Sequence, residues 1–166
     1  MVITPQQPLW MAGYANRKKP SEGTAQELYA KALALEDRRG ARTVIVTSDL
    51  LGFVRSLSEP IAQRVEQRYG LRRERLLLTA SHTHSGPVIR ESLVGMYALD
   101  AEQRAAVEAY TARLQEQVVE VVGAALKDLA PARLSFARGQ ATFAMNRRAK
   151  REKGFVIAEN PQGPVE

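Results

Sequence analysis

The chain has 166 residues, 45% of them hydrophobic, no cysteine, a formal net charge of +6 and a sequence pI near 9.9. That length suits one ordinary globular domain with a buried core. The absence of cysteine excludes disulfides and thiolate metal ligands, and no apolar run approaches the ~20 residues of a membrane span.

The positive surplus is mostly arginine, at Arg72, Arg73 and Arg75 and again at Arg147, Arg148 and Arg151, with Lys150 and Lys153. Such clusters raise the question of a polyanionic partner. Aromatics make up only 6% and do not interleave with the basic residues. No finger, helix-turn-helix or RNP-like pattern is present, so nucleic acid is not favoured. What remains of the idea is an alternative reading, a non-catalytic basic module for a polyanionic partner.

The start, Met1-Val2-Ile3-Thr4-Pro5, shows no basic and then apolar stretch of the kind a signal peptide carries. Residues 1–23 read as loop, punctuated by Pro5, Pro8, Gly13, Pro20 and Gly23. Inside it, Leu9-Trp10-Met11-Ala12-Gly13-Tyr14-Ala15-Asn16 is apolar for a loop. It could pack across the domain with Trp10 as anchor, or wall a site where Gly13 lets backbone approach a ligand closely.

Residues 27–36 carry helix-favouring Ala, Leu, Lys and Glu. The turn signal Asp37-Arg38-Arg39-Gly40 and the β-branched run Thr43-Val44-Ile45-Val46-Thr47 instead allow a hairpin pairing 27–36 with 42–48. Propensity does not choose between the two. Ser58 can cap a helix that has Pro60 in its first turn, runs to about Tyr69 and ends at Gly70. A strand over 75–80 follows. Strand, helix and strand in this order predict a right-handed βαβ unit with parallel strands.

Parallel strands end on one edge of a sheet, and ligand sites of α/β sheets gather there. Asp49 follows the first strand. Ser81-His82-Thr83-His84-Ser85-Gly86-Pro87 follows the second and holds both histidines of the protein. Strand alternation would project His82 and His84 to one side. Two such imidazoles can bind a metal, or divide into one ligand and one proton carrier. Asp49 could orient an imidazole from the second coordination sphere or cap local backbone.

Residues 88–99 read as loop. Asp100 with Gln103 makes a capping box, and the long helix behind it runs to about Leu129. Its stripe of Val107, Tyr110, Leu114, Val118, Val121, Val122, Ala125 and Leu129 is spaced for one buried face. Pro131 stops it. Ala132 to Ala144 predicts a strand with a bulge at Gly139. A charged run to Lys153, a brief Phe155-Val156-Ile157 and a loop end complete a chain read as a single domain over 1–166. The fold class is α/β, a mixed sheet with a parallel βαβ unit and flanking helices.

Zinc takes about three or four protein ligands. Two histidines without cysteine fall short, so either no metal binds here or part of the site lies beyond residue 166.

His82-Thr83-His84-Ser85-Gly86-Pro87 resembles the signature of the neutral/alkaline ceramidases and their bacterial relatives. Trp10-Met11-Ala12-Gly13-Tyr14-Ala15 is similar to the family's N-terminal glycine loop. Leu28-Tyr29-Ala30-Lys31-Ala32-Leu33 resembles its first long strand, which favours a strand over a helix there. Thr47-Ser48-Asp49-Leu50-Leu51-Gly52 and Met145-Asn146-Arg147-Arg148 resemble its next strand end and its arginine motif. Arg148 departs from the serine usual in the ceramidases proper, and the stretch after Pro87 is not glycine-rich.

The resemblance implies an N-terminal fragment of a larger α/β hydrolase domain, a zinc-dependent amidohydrolase acting on ceramide or a related lipid amide. His82 would match a zinc ligand, and His84 the histidine that handles protons at the scissile amide. Arg147 would match the arginine that holds substrate or the developing oxyanion, with Gly13 a backbone group of the same pocket. One Zn²⁺ would take its remaining ligands, a histidine, a glutamate and a tyrosine, from beyond residue 166, leaving the fragment alone inactive. The resemblance also implies a secreted or periplasmic enzyme.

Overall fold

The β-branched run in the first half of the chain becomes the middle of a sheet. The structure, a computed structural model, describes residues 1–92 and 94–161. Strand β2, Arg42–Ser48, lies between β1, Ala30–Glu36, and β3, Leu76–Ala80. β1 and β2 are antiparallel, with Ala30 opposite Ser48 and Glu36 opposite Arg42. β2 and β3 are parallel, with Val44 beside Leu76 and Ser48 beside Ala80.

Residues 30–36 are therefore strand, despite a composition that suits a helix. Alternation decides it. Ala30, Ala32 and Ala34 turn to the core, while Lys31, Leu33 and Leu35 turn away. The turn fixes the register: the Asp37 carboxylate accepts the main-chain N–H groups of Arg39 and Ala41. Residues 1–3 extend the open side of β1, where Val2 bridges Tyr29 and Ile3 N–H donates to Leu28 O.

Two helices cover one face. Helix α1, Arg55–Tyr69, joins β2 to β3. Helix α2, Ala101–Lys127, packs on β1 and α1. The core between them and the sheet includes Val44, Val46, Leu57, Ile61, Val65, Leu114, Val118 and Val122. Helix α1 starts one turn earlier than the sequence suggests, because Leu57 is wholly buried and must already lie on the helical face. Its N-cap is Val54 and no side chain caps it, so Pro60 sits inside the helix rather than in its first turn. Gly70 ends it in the left-handed conformation.

In α2 the expected capping box is present, with Asp100 and Gln103 each holding the other's main-chain N–H. The buried stripe differs slightly from expectation. Val119, Thr111 and Gln115 are buried too, whereas Val121, Ala125 and Leu129 are half-buried. No helix among the described residues is long and apolar enough to cross a membrane. The opposite face of the sheet carries a row, Leu33, Ile45 and Leu77, in register across all three strands. Leu33 is 53% exposed and Leu77 52%.

The chain divides into two compact units, Met1–Ala130 and Pro131–Glu166. The second contains a hairpin, β4 Arg148–Arg151 with β5 Gly154–Ile157, turning through Glu152 and Lys153. The strand expected over 132–144 is not formed; residues 131–147 have no helix or strand. The alternation that suggested it is real in the sequence, but its apolar members stay uncovered. Leu134 is 83% exposed, Phe136 91% and Phe143 89%. A strand exists only as a paired backbone, and among the described residues this segment has no partner strand.

Candidate functional site

Because β2 and β3 run the same way, Asp49 and Ser81 leave the sheet side by side, tied by Ser81 N–H donating to Ser48 O at 2.9 Å. The histidine loop therefore begins at the carboxyl edge of the parallel pair, the edge at which ligand sites of α/β sheets gather. The apolar N-terminal segment closes against it. Met11 bridges Pro87, Ala12 N–H donates to Gly86 O at 2.8 Å, and Val88 N–H donates to Trp10 O at 2.7 Å. Trp10 is buried with Tyr97, Leu99 and Val107 in a second apolar cluster, while Gly13 lies against the His84 ring.

The imidazoles of His82 and His84 meet edge to face, with ring centroids 5.1 Å apart. Strand alternation is not the cause. β3 stops at Ala80, and His82 takes a left-handed φ of 58°. A bulky residue there is strained by about 1–2 kcal/mol and persists only where its surroundings hold it. Here His82 Nδ1 lies 2.7 Å from Leu51 O. A carbonyl can only accept, so Nδ1 carries the proton and the Nε2 lone pair is left free on an exposed ring.

His84 is held on several sides. The Cα of Gly13, at φ 104°, presses against its ring, and a Cβ there would come within 2.4 Å of Cγ and 2.5 Å of Nδ1. Glycine is required twice over, by the conformation and by the contact. The Tyr14 ring stands edge-on to His84 at 4.7 Å. Arg17 Nη2 donates to the main-chain oxygen of His84 at 2.6 Å. His84 Nδ1 is buried and has no hydrogen-bond partner among the described residues.

Of the two roles open to Asp49, its hydrogen bond serves the main chain: Oδ2 accepts the N–H of Tyr29 at 2.9 Å, fastening β1 to the end of β2. The N–H of Gly13 donates to the Tyr97 hydroxyl at 2.9 Å. Beside the histidine loop opens a cleft of about 680 Å³, lined among others by Leu9, Met11, Asp49, Ser81, Thr83 and Ser85. Arg147 lies in the second unit, exposed, at the foot of the β4–β5 hairpin, where its main-chain oxygen accepts the N–H groups of Ala149 and Ala158. Among the described residues no group of three His, Asp or Glu could hold a metal ion. Tyr14, Arg17 and Tyr97 were not legible as site residues. Each acts through contacts with residues distant in sequence or within its own turn, and no spacing pattern announces that.

The family profile described as neutral/alkaline non-lysosomal ceramidase, N-terminal, matches residues 3–156. The chain belongs to that family. It is 27% identical to a neutral ceramidase of Mycobacterium tuberculosis over 135 residues, 78% of this chain and 21% of the relative. It is 30% identical to the neutral ceramidase of Drosophila melanogaster over 79 residues, 45% of this chain and 11% of the relative. In structure it resembles the neutral ceramidase of Pseudomonas aeruginosa, with a TM-score of 0.60 at 22% identity, over 76% of this chain and 20% of that one. The chain thus spans about a fifth or less of the length of these ceramidases. The structural likeness covers about three quarters of this chain and supports the mixed α/β fold.

Proposed function

We propose that this chain supplies the histidine rim of a zinc-dependent hydrolase of N-acyl amide bonds, acting on ceramide or a related lipid amide. One observation carries the reading: His82 is held in a strained conformation with Nδ1 fixed on Leu51 O and Nε2 turned free, directly against a second imidazole. Metal-binding histidines are commonly oriented in this way, by a hydrogen bond from the other ring nitrogen to a carbonyl.

His82 fits one ligand position, through Nε2. It does not make a site by itself, since zinc takes about three or four protein ligands and among the described residues no such group exists. The remaining ligands are proposed to come from outside the described residues, so the 166-residue chain alone is expected to hold zinc weakly and to be inactive. Zinc, when bound, supplies a Lewis acid and an acidified water at neutral pH.

This chain's residues do the rest. His84 moves a proton through Nε2, because Nδ1 is buried behind Gly13; such transfer contributes about 10²–10⁴-fold. Gly13 makes room for that ring. Arg147, from the family's arginine motif, holds the developing oxyanion with a charge-assisted hydrogen bond.

The test is zinc content and hydrolysis of an N-acyl sphingoid substrate, measured together on a ceramidase-length protein that contains this chain. A chelator is expected to abolish hydrolysis and added zinc to restore it. His82→Ala is expected to lose the metal, whereas His84→Ala keeps it and loses about 10²–10⁴-fold in kcat. Full activity of chelated His82→Ala protein refutes the reading.

A further inference from the structure

We propose that Arg17 is a positioning residue for His84, fixing it by a two-point grip built from the turn Tyr14–Arg17. The assignment of His84 as the proton carrier rests on the reading above; the grip itself rests on geometry alone.

The first point is the main chain. Arg17 Nη2 donates to His84 O at 2.6 Å, a charge-assisted bond that belongs to the stronger class of hydrogen bonds. The second point is the ring. The guanidinium carbon lies 5.3 Å from the Tyr14 ring centroid, and that ring meets the His84 imidazole edge-on. Arg17 N–H also donates to Tyr14 O, so one short turn carries both contacts. Nη1 faces the sulfur of Met11 at 3.9 Å, which ties the turn to the segment that bridges Pro87.

Other features separate this arginine from a surface charge. Its Nε is buried without a partner. Among the described residues it forms no ion pair, whereas Arg42, Arg55, Arg64, Arg68, Arg72 and Arg90 each have a carboxylate. The cation is spent on one carbonyl and one ring, and both belong to or touch His84. Lysine cannot reproduce this, since a single ammonium has no planar fork to serve a carbonyl and an aromatic face at once.

The grip matters because, among the described residues, His84 Nδ1 has no hydrogen bond of its own to set the ring. A histidine that moves protons is usually oriented by a partner on its second nitrogen. Here that function falls to contacts: Gly13 behind the ring, Tyr14 at its edge and Arg17 on its main chain.

The experiment has two arms. The first is NMR of the metal-free 166-residue chain, following the His84 ring protons and their cross-relaxation with Gly13 Hα and the Tyr14 ring. Arg17→Met is expected to shift the ring signals and abolish both cross-peaks, with methyl signals of Val46 and Leu114 unmoved. Arg17→Lys, which keeps charge and bulk, is expected to do the same to a smaller extent. It also keeps the test decisive should the methionine variant fail to fold. Unchanged ring signals and cross-peaks in the lysine and methionine variants overturn the proposal.

The second arm is kinetic, on a zinc-loaded, ceramidase-length protein that contains this chain, with an N-acyl sphingoid substrate. Arg17→Met is expected to lower kcat about 10–100-fold, the scale of a misplaced catalytic group, with KM and zinc content within about threefold. A kcat equal to wild type overturns the proposal. If the wild type hydrolyses no lipid amide, the functional reading fails by itself, and the NMR arm still decides whether Arg17 holds His84.

Discussion

The side-chain amide of Gln115 in α2 donates to the main-chain oxygen of Ser56 in α1, at 3.4 Å. That oxygen is the one Pro60 leaves orphaned, because proline at this position has no N–H to return four residues. A buried glutamine thus completes a helix to which it does not belong. Gln115→Met is expected to cost about 1–2 kcal/mol, the scale of a lost buried hydrogen bond. In a Pro60→Ala background the restored N–H takes over Ser56 O, so the same change costs less. Urea unfolding of the four proteins measures the difference; an equal cost in both backgrounds refutes the link.

Gly13→Ala brings two penalties that can be separated. The left-handed backbone alone disfavours a Cβ by about 1 kcal/mol. The collision with the His84 ring adds about 1–3 kcal/mol, as overpacking does. In a His84→Ala background only the first penalty remains. Thermal unfolding of the double-mutant cycle is expected to show that coupling. An uncoupled cycle removes the contact from consideration.

A second glycine, in α2, lies against the Tyr69 side chain at the end of α1. A Cβ on buried Gly123 would come within 2.2 Å of the Tyr69 hydroxyl and 2.3 Å of its ring carbon Cζ. Gly123→Ala is expected to destabilise by about 1–3 kcal/mol despite the better helix propensity of alanine. Tyr69→Ala opens the space, and in that background the substitution turns neutral or stabilising. Denaturant midpoints with unchanged slopes test this.

Acid should weaken the β1–β2 turn. The carboxyl of Asp37 is held below its ordinary value of 3.8, chiefly by the N–H of Ala41, then by that of Arg39, with a smaller contribution from the Arg75 charge. A carboxyl depressed by folding stabilises above its unfolded pKa, and that contribution is lost as pH falls through the folded value. The melting temperature of wild type is therefore expected to drop more than that of Asp37→Asn between about pH 6 and about pH 3. Parallel curves in this window contradict it.

Much of the first unit was legible because its signals are local or periodic. The capping box at Asp100 and Gln103, the turn at Asp37 and the β-branched run at Thr43–Thr47 each specify themselves. The shared rim of Asp49 and the histidine loop followed from chain direction alone. The start of α1 was misplaced because a wholly buried Leu57 outweighed the cap offered by Ser58. The strand over 132–144 was misread because alternation records which residues would be covered, not whether a neighbour covers them. The histidine pair was placed together for the wrong reason. Alternation assumed extended backbone, and a left-handed His82 does the work instead, a state set by Leu51 and invisible to pattern.

The same parallel register leaves the far end of the sheet with nothing to guard. The Asp37–Gly40 bend and the Arg73–Arg75 turn both sit there, about 16 Å from the imidazoles by the rise of a five-residue strand. Engineers wishing to graft an epitope, a fluorophore or a purification handle onto this molecule have a natural port at that end. Lengthening either bend should leave the geometry of the histidine loop unchanged.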